Sequence, residues 1–188
     1  MDFLLSLITG ICLSATSGFR IFIPFLFISI ASLGGDLTLS EDFSWMASYP
    51  ALIVFSLLTI AEIAGYYNPW IDNALDMLTT ALSLFSGFIL TKIFISDLSS
   101  ILSWSISILL GITVALTVQF LTDKARTLAG YFKSGYGNQI LATSELFFAI
   151  LFSFLTIYVS PVLSFVILTI TVTYFFNRVL KERRRQGM

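Results

Sequence analysis

The sequence contains no histidine and a single cysteine, and only 11% of its 188 residues are charged. Without histidine there is no imidazole to ligate a metal or act as a base near neutral pH, and no Ser-His-Asp or Cys-His arrangement can form. One thiol forbids an intramolecular disulfide, and Cys12 reads as a small buried hydrophobe. The HExxH, Walker phosphate-loop and GxSxG patterns are also missing. Two aspartates on different helices would suit an intramembrane acid protease, but Gly135-Tyr136-Gly137 is followed by Asn138 where that chemistry needs an acid. With a formal charge of −1, nothing suggests a nucleic-acid partner, and none is expected. Neither an enzyme nor a cofactor is expected.

Hydrophobic residues make up 57% of the chain, and the mean hydropathy is +0.94. A soluble domain would carry about a quarter charged residues, so a water-soluble globule is excluded. The charges cluster in Lys181, Glu182, Arg183, Arg184 and Arg185, while windows 46–61, 77–91, 98–122 and 146–177 hold none. A membrane-crossing helix needs roughly 20 apolar residues. The pattern predicts an all-α polytopic membrane bundle of about six spans, with helices near 50–65, 72–93, 99–122, 138–158 and 161–180. The last two are separated at Tyr158-Val159-Ser160-Pro161. Segment 3–33 would run about 46 Å as one helix, too long for one crossing at ordinary tilt. Its centre holds Ser17, Gly18 and Pro24, which predicts a broken or re-entrant first helix. A cleaved signal peptide is the rival reading, but Met1-Asp2 lacks a basic start. Residues 1–188 are read as one transmembrane domain ending in a basic cytoplasmic tail, 181–188.

Lysine and arginine set the orientation. Arg178 and the terminal cluster, with Lys124, Arg126 and Lys133 in a loop near 123–137, mark the cytoplasmic side; loop 34–49 carries Asp36, Glu41 and Asp42 instead. Both termini are then cytoplasmic. Tyr66, Tyr67, Trp70, Tyr131 and Tyr136 would form the inner aromatic belt, and Trp45, Tyr49, Trp104 and Tyr158 the outer one. Lys92, near an outer end, would snorkel. A weak repeat at an offset of about 65 residues relates regions near 50–95 and 115–160: Ile63-Ala64-Gly65-Tyr66-Tyr67 matches Leu128-Ala129-Gly130-Tyr131-Phe132. Gly87, Gly111 and Gly130 offer close-packing faces, within the chain or across a homodimer.

Ionisable groups inside spans are costly and are functional candidates by default. Arg20 lies at the break. Glu62, Asp72, Asp76, Asp123 and Glu145 fall in the cytoplasmic half, where they would converge on one acidic cavity. Glu145 stands about 10 Å deeper than Asn138, beyond the reach of capping; it either binds a cation, takes a proton or pairs with Arg20 as a structural lock. Asp72 and Asp76 share a helix face and suit a hard cation, although Asp72 also fits an N-cap. Glu62 opposes its own helix dipole and needs a partner, a proton or water. Asn73, Asn138, Ser14, Thr16, Ser17, Thr143 and Ser144 could add neutral ligands. Arg20 is either an internal counter-charge or, beside broken-helix amides, an anion hook. The metal candidates are Asp72, Asp76 and Glu145.

Ser17-Gly18-Phe19-Arg20-Ile21-Phe22-Ile23-Pro24 resembles an SG-(L/F)-R-x-F-x-P signature of a bacterial membrane family, domain of unknown function 4126. The resemblance continues through Phe43-Ser44-Trp45-Met46-Ala47-Ser48, Glu62 to Asp76, Ser86-Gly87, and Gly137-Asn138 to Ser144-Glu145. The family pattern has GNP and often a second acid where this chain has Gln139 and Leu146, so a paired acid at Glu145 is not expected. The resemblance implies a compact multi-span inner-membrane protein and lends no activity.

Together these features favour a small inner-membrane transporter or channel with a buried acidic cavity for a cation or proton-coupled solute. Its partners would be the lipid bilayer and a small ion or solute. A non-transporting membrane scaffold is the alternative, followed by a lipid-modifying enzyme whose acids hold a divalent ion.

Overall fold

The computed structural model describes the backbone of residues 3–66, 69–95, 99–130 and 137–185, and their side chains except those of 69–78, 128–130, 137–138 and 178–185. Among the described residues the fold is all-helical, with eight α-helices and no strand. They are α1 (Phe3–Ser17), α2 (Phe22–Gly34), α3 (Tyr49–Tyr66), α4 (Pro69–Phe94), α5 (Ser100–Ile106), α6 (Thr113–Gly130), α7 (Gly137–Phe154) and α8 (Pro161–Arg185). A π-helical segment, Ser107–Ile112, joins α5 to α6 in one continuous helix, and a second, Leu155–Val159, extends α7.

Proline explains where several helices begin. All four prolines, Pro24, Pro50, Pro69 and Pro161, stand in the first turn of a helix, where a missing N–H costs nothing and a fixed φ favours the helical start. Pro24 therefore starts α2 rather than breaking a helix; the interruption lies at Gly18–Ile21. At the other end of α2, Gly35 adopts φ 83°, and the N–H of Asp36 returns to Ala31 O at 2.9 Å, closing the helix in a left-handed cap.

The segments 50–65, 72–93, 138–158 and 161–180 correspond to α3, α4, α7 with its π extension, and α8. Two boundaries differ. The helix expected at 99–122 continues to Gly130, so Lys124 and Arg126 ride on α6 and not in a loop. The basic stretch 181–185 continues α8. Tyr49–Tyr66, Ser100–Thr127 and Gln139–Val159 are long and apolar enough to cross a membrane; Phe3–Ser17, Phe22–Gly34, Thr79–Phe94 and Pro161–Asn177 are apolar but shorter.

Polarity runs from inside to outside. Arg20, Glu62, Gln119, Arg126 and Glu145 are buried, whereas Leu57, Ile101, Leu109, Phe147 and Ile170 are exposed. An apolar sheath of this extent would be a liability in water and is what hydrocarbon solvates. At the centre, α1 packs on α4, α6, α7 and α8. One apolar core gathers Leu13, Phe25, Ile28, Met46 and Phe55; another gathers Ala15, Val118, Phe152 and Leu168, with Phe19 against it. Two approaches are backbone-tight: a Cβ on Gly87 would lie 2.3 Å from Gly111 O, and one on Gly18 would lie 2.6 Å from Ala115 O. Gly87 and Gly111 are thus used against each other inside the chain, which removes them from a dimer face.

Neutral polar groups line the contact of α1 with α4 and α6. Ser14 donates to Gly87 O at 2.8 Å and meets the Thr91 hydroxyl at 2.8 Å. Ser86 donates to Ser17 Oγ at 3.0 Å, and Ser83 to Gln119 Oε1 at 3.1 Å; Gln119 Nε2 reaches Thr79 Oγ1 at 3.3 Å and Asp123 Oδ1 at 3.1 Å. Outside this seam Thr16 donates to its own helix at Cys12 O. Ser14, Thr16 and Ser17 are therefore engaged in packing and local bonds rather than held out as ligands.

Candidate functional site

The site is built on the interruption between α1 and α2. The last turn of α1 closes with Gly18 and Phe19 amides bonded to Ala15 O and Thr16 O. The chain then enters α2, whose first amides lack intrahelical acceptors. Glu62, from α3, supplies them: the N–H of Ile21 donates to Oε1 at 2.9 Å and that of Phe22 to Oε2 at 3.2 Å. A carboxylate at a helix N-terminus is stabilised by the dipole and by charge-assisted bonds. This resolves the apparent misfit of Glu62 near the end of α3: it is a cap supplied to a different helix.

Arg20 sits beside this cap, 2% exposed. Its Nη2 donates to Ala142 O of α7 at 2.9 Å and lies 3.6 Å from Glu145 Oε2. Its Nε and Nη1 have no hydrogen-bond partner among the described residues. The guanidinium lies over the Tyr66 ring, with Cζ 3.8 Å from the centroid. Arg126 of α6 donates from Nη2 to the same Oε2 of Glu145 and is also over Tyr66, at 4.3 Å. Two guanidinium groups and two carboxylates thus occupy one buried centre, positioned by the helix break, α3, α6 and α7. Such charges persist in a low-dielectric interior only when paired and hydrogen-bonded.

A cavity of about 40 Å³ adjoins Glu145. Phe19 from the break, Leu121 from α6, Phe148 from α7, and Thr171 and Phe175 from α8 contribute to its wall. Phe19 also packs on Phe148 and Phe152, with centroids 6.0 and 6.2 Å away, so the apolar wall is continuous with the second core.

Of the residues singled out by sequence, Arg20, Glu62 and Glu145 come together at the break marked by Ser17 and Gly18. Asp72, Asn73 and Asp76 lie on the first turns of α4, and Asn138 on the first turn of α7, but their side chains fall outside the described residues. Asp123 accepts a bond from Gln119 Nε2 and stands at the end of the seam, one turn before Arg126. Thr143 and Ser144 donate within α7, to Gln139 O and Leu141 O, although Ser144 also lines the cavity.

The expected acidic cavity needs correction for its described part: Glu62 and Glu145 are matched by Arg20 and Arg126. Among the described residues no group of three His, Cys, Asp or Glu side chains is placed to hold a metal ion. Two members of the centre were misread from sequence. Arg126 counted as a loop cation, yet it is 8% exposed and engaged with Glu145. Tyr66 counted as an interfacial aromatic, yet it is buried beneath both guanidinium groups. Spacing carried a signal for each: Gln119, Asp123 and Arg126 recur at helical intervals along an apolar helix, and Tyr66 is one turn after Glu62. Lys92 also differs from the snorkelling expectation, donating to Ser103 Oγ at 2.8 Å.

These features define an all-helical bundle with membrane-length apolar helices and a buried, charge-paired centre at a broken helix. The sequence matches the family described as domain of unknown function (DUF4126) over residues 7–181, and the chain belongs to that family. No curated protein and no solved structure matches it.

Proposed function

We propose that the protein is a small transporter of the bacterial inner membrane whose solute site is the charged centre at the α1–α2 break. The observation that carries this reading is the burial of four ionisable side chains, Arg20, Glu62, Arg126 and Glu145, inside a chain otherwise sheathed in apolar residues. Ionisable groups at membrane depth are costly and mark solute or ion pathways. A discontinuous helix whose amides face a carboxylate is also the means by which transporters build sites from backbone. In this reading α1 and α2 make one crossing together, α3, α4, the α5–α6 helix, α7 and α8 make the other five, and both termini are cytoplasmic. Reconstitution into proteoliposomes tests it, with flux read for Na⁺, K⁺, Mg²⁺, phosphate, sulfate and small carboxylates. A saturable flux lost in Glu145→Gln and Arg20→Gln supports the reading; no flux of any of these by well-folded protein refutes it for this solute range.

A static scaffold is the second reading, favoured by the use of both Glu62 oxygens as a cap and by the Arg126–Glu145 pair. It requires that replacing Arg20 and Glu145 together leaves any cellular phenotype of the protein intact.

A further inference from the structure

Arg20 has more donor capacity than its neighbours among the described residues use. Both Glu62 oxygens accept from the amides of Ile21 and Phe22, and among the described residues Arg20 makes no hydrogen bond to them. Arg20 Nη2 spends its bond on Ala142 O and stops 3.6 Å from Glu145 Oε2, an oxygen that Arg126 already holds. The Nε and Nη1 of Arg20 remain without an acceptor among the described residues in a side chain only 2% exposed. Buried guanidinium hydrogens without acceptors are costly, and a group that supplies oxygens is the remedy. Glu145 also borders the cavity of about 40 Å³, whose wall is otherwise mostly apolar.

We infer that the solute of this site is an oxyanion, phosphate-like or carboxylate-like, which binds Arg20 and Arg126 in exchange for Glu145. This rests on the transporter reading and deepens it by fixing the sign of the charge. Glu145 is then an internal stand-in for the solute: its carboxylate keeps the two arginines compensated when the site is empty and yields them when the anion enters. Arg20 and Arg126 suit the task because guanidinium groups bind planar and tetrahedral oxyanions with several hydrogen bonds and stay charged when desolvated. The displaced Glu145 carboxylate turns toward the adjoining cavity. The other charged or titratable groups around it are Arg20 at the break, Glu62 and Tyr66 on α3, and Arg126 with Asp123 one turn earlier on α6.

Thermal stability of the purified full chain in dodecyl maltoside tests the inference, with sulfate, phosphate and succinate titrated at constant ionic strength. An anion that favours the folded state raises its melting temperature saturably. The expected result is such a rise in wild type, its loss in Arg20→Gln, and at least a tenfold lower apparent Kd in Glu145→Gln, because the internal competitor is gone. A cation site gives the reverse: stabilisation by Na⁺, K⁺ or Mg²⁺ that Glu145→Gln abolishes. That outcome, or weaker anion binding in Glu145→Gln, overturns the inference. If Glu145→Gln does not fold, the wild type decides: sulfate must raise its melting temperature saturably, and Na⁺, K⁺ and Mg²⁺ at matched ionic strength must not. Micelles doped with phosphatidylglycerol separate the two sources of phosphate. Stabilisation by the lipid alone assigns a headgroup, and stabilisation by soluble sulfate or phosphate assigns a free solute; both must vanish in Arg20→Gln. Absence of every anion shift also overturns the inference. The proteoliposome flux then decides the transporter reading separately, since cation flux would leave transport standing with the anion refuted.

Discussion

Two buried polar regions of this protein use opposite materials. The seam joining α1, α4 and α6 is made of hydroxyls, one glutamine and apposed glycines, and Ser14, Ser17, Ser83 and Ser86 each find a partner in it. The centre at the α1–α2 break is made of full charges around Tyr66, with Nε and Nη1 of Arg20 lacking an acceptor among the described residues and a cavity against Glu145. Neutral bonds between membrane helices are individually weak and tolerant, about 0.6 kcal/mol on average. Buried charges are expensive alone and strong together. The first region therefore holds helices at fixed distance, while the second is poised to exchange one partner for another.

The sharpest way to break this contrast is to remove one member of the charge cluster. Arg126→Met leaves Glu145 with the more distant Arg20 and is expected to lower stability by about 3–5 kcal/mol, the cost of stranding a buried charge. In a cycle with Glu145→Gln, the double variant should recover much of the loss, read as a coupling of about 0.5–3 kcal/mol in chemical or thermal unfolding. Simple additivity would mean that the two charges do not interact, and would remove the distinction between the regions.

Glu62→Ala strips the cap from α2 without touching Glu145. Its expected cost is about 0.5–2 kcal/mol, with faster amide exchange at Ile21 and Phe22 in particular. Unchanged exchange at those amides would show that the break holds itself open without α3.

In the seam, Gly87→Ala places a methyl 2.3 Å from Gly111 O, against backbone rather than a yielding side chain. Forced separation of α4 from the π segment is expected to cost about 1–3 kcal/mol, seen as a lower melting temperature in detergent. The smallest effect belongs to Ser86→Ala, which loses the bond to Ser17 and should cost about 0.6 kcal/mol with flux unaltered. If Ser86→Ala abolished flux as fully as Arg20→Gln, the seam would be part of the pathway and the division drawn above would fail.

The apolar windows told where helices run because hydrophobicity over some 20 residues is a local property that survives any packing. The turn at Tyr158-Val159-Ser160-Pro161 and the interruption near Gly18 were legible for the same reason: proline and glycine act on the backbone they occupy. The end of α6 was misjudged because charged Asp123, Lys124 and Arg126 resemble a loop, yet Lys124 and Arg126 are good helix formers and a tertiary partner holds Arg126 inward. Neither π segment carried a signal in composition. Ser107–Ile112 lies where Gly111 meets Gly87, a contact set by another helix altogether.

The sequence by itself determined an all-helical chain with apolar spans, a break after Ser17, and Arg20, Glu62 and Glu145 as charges that must find company. Only the tertiary structure decided who keeps that company. It sent Glu62 to the amides of α2, brought Arg126 rather than Arg20 into direct bond with Glu145, and laid both guanidinium groups over Tyr66. Burying a charge without compensation is prohibitive, so sequence can state that a partner exists. The partners here lie 19, 41 and 122 positions apart along the chain, and which pair meets depends on how the helices pack.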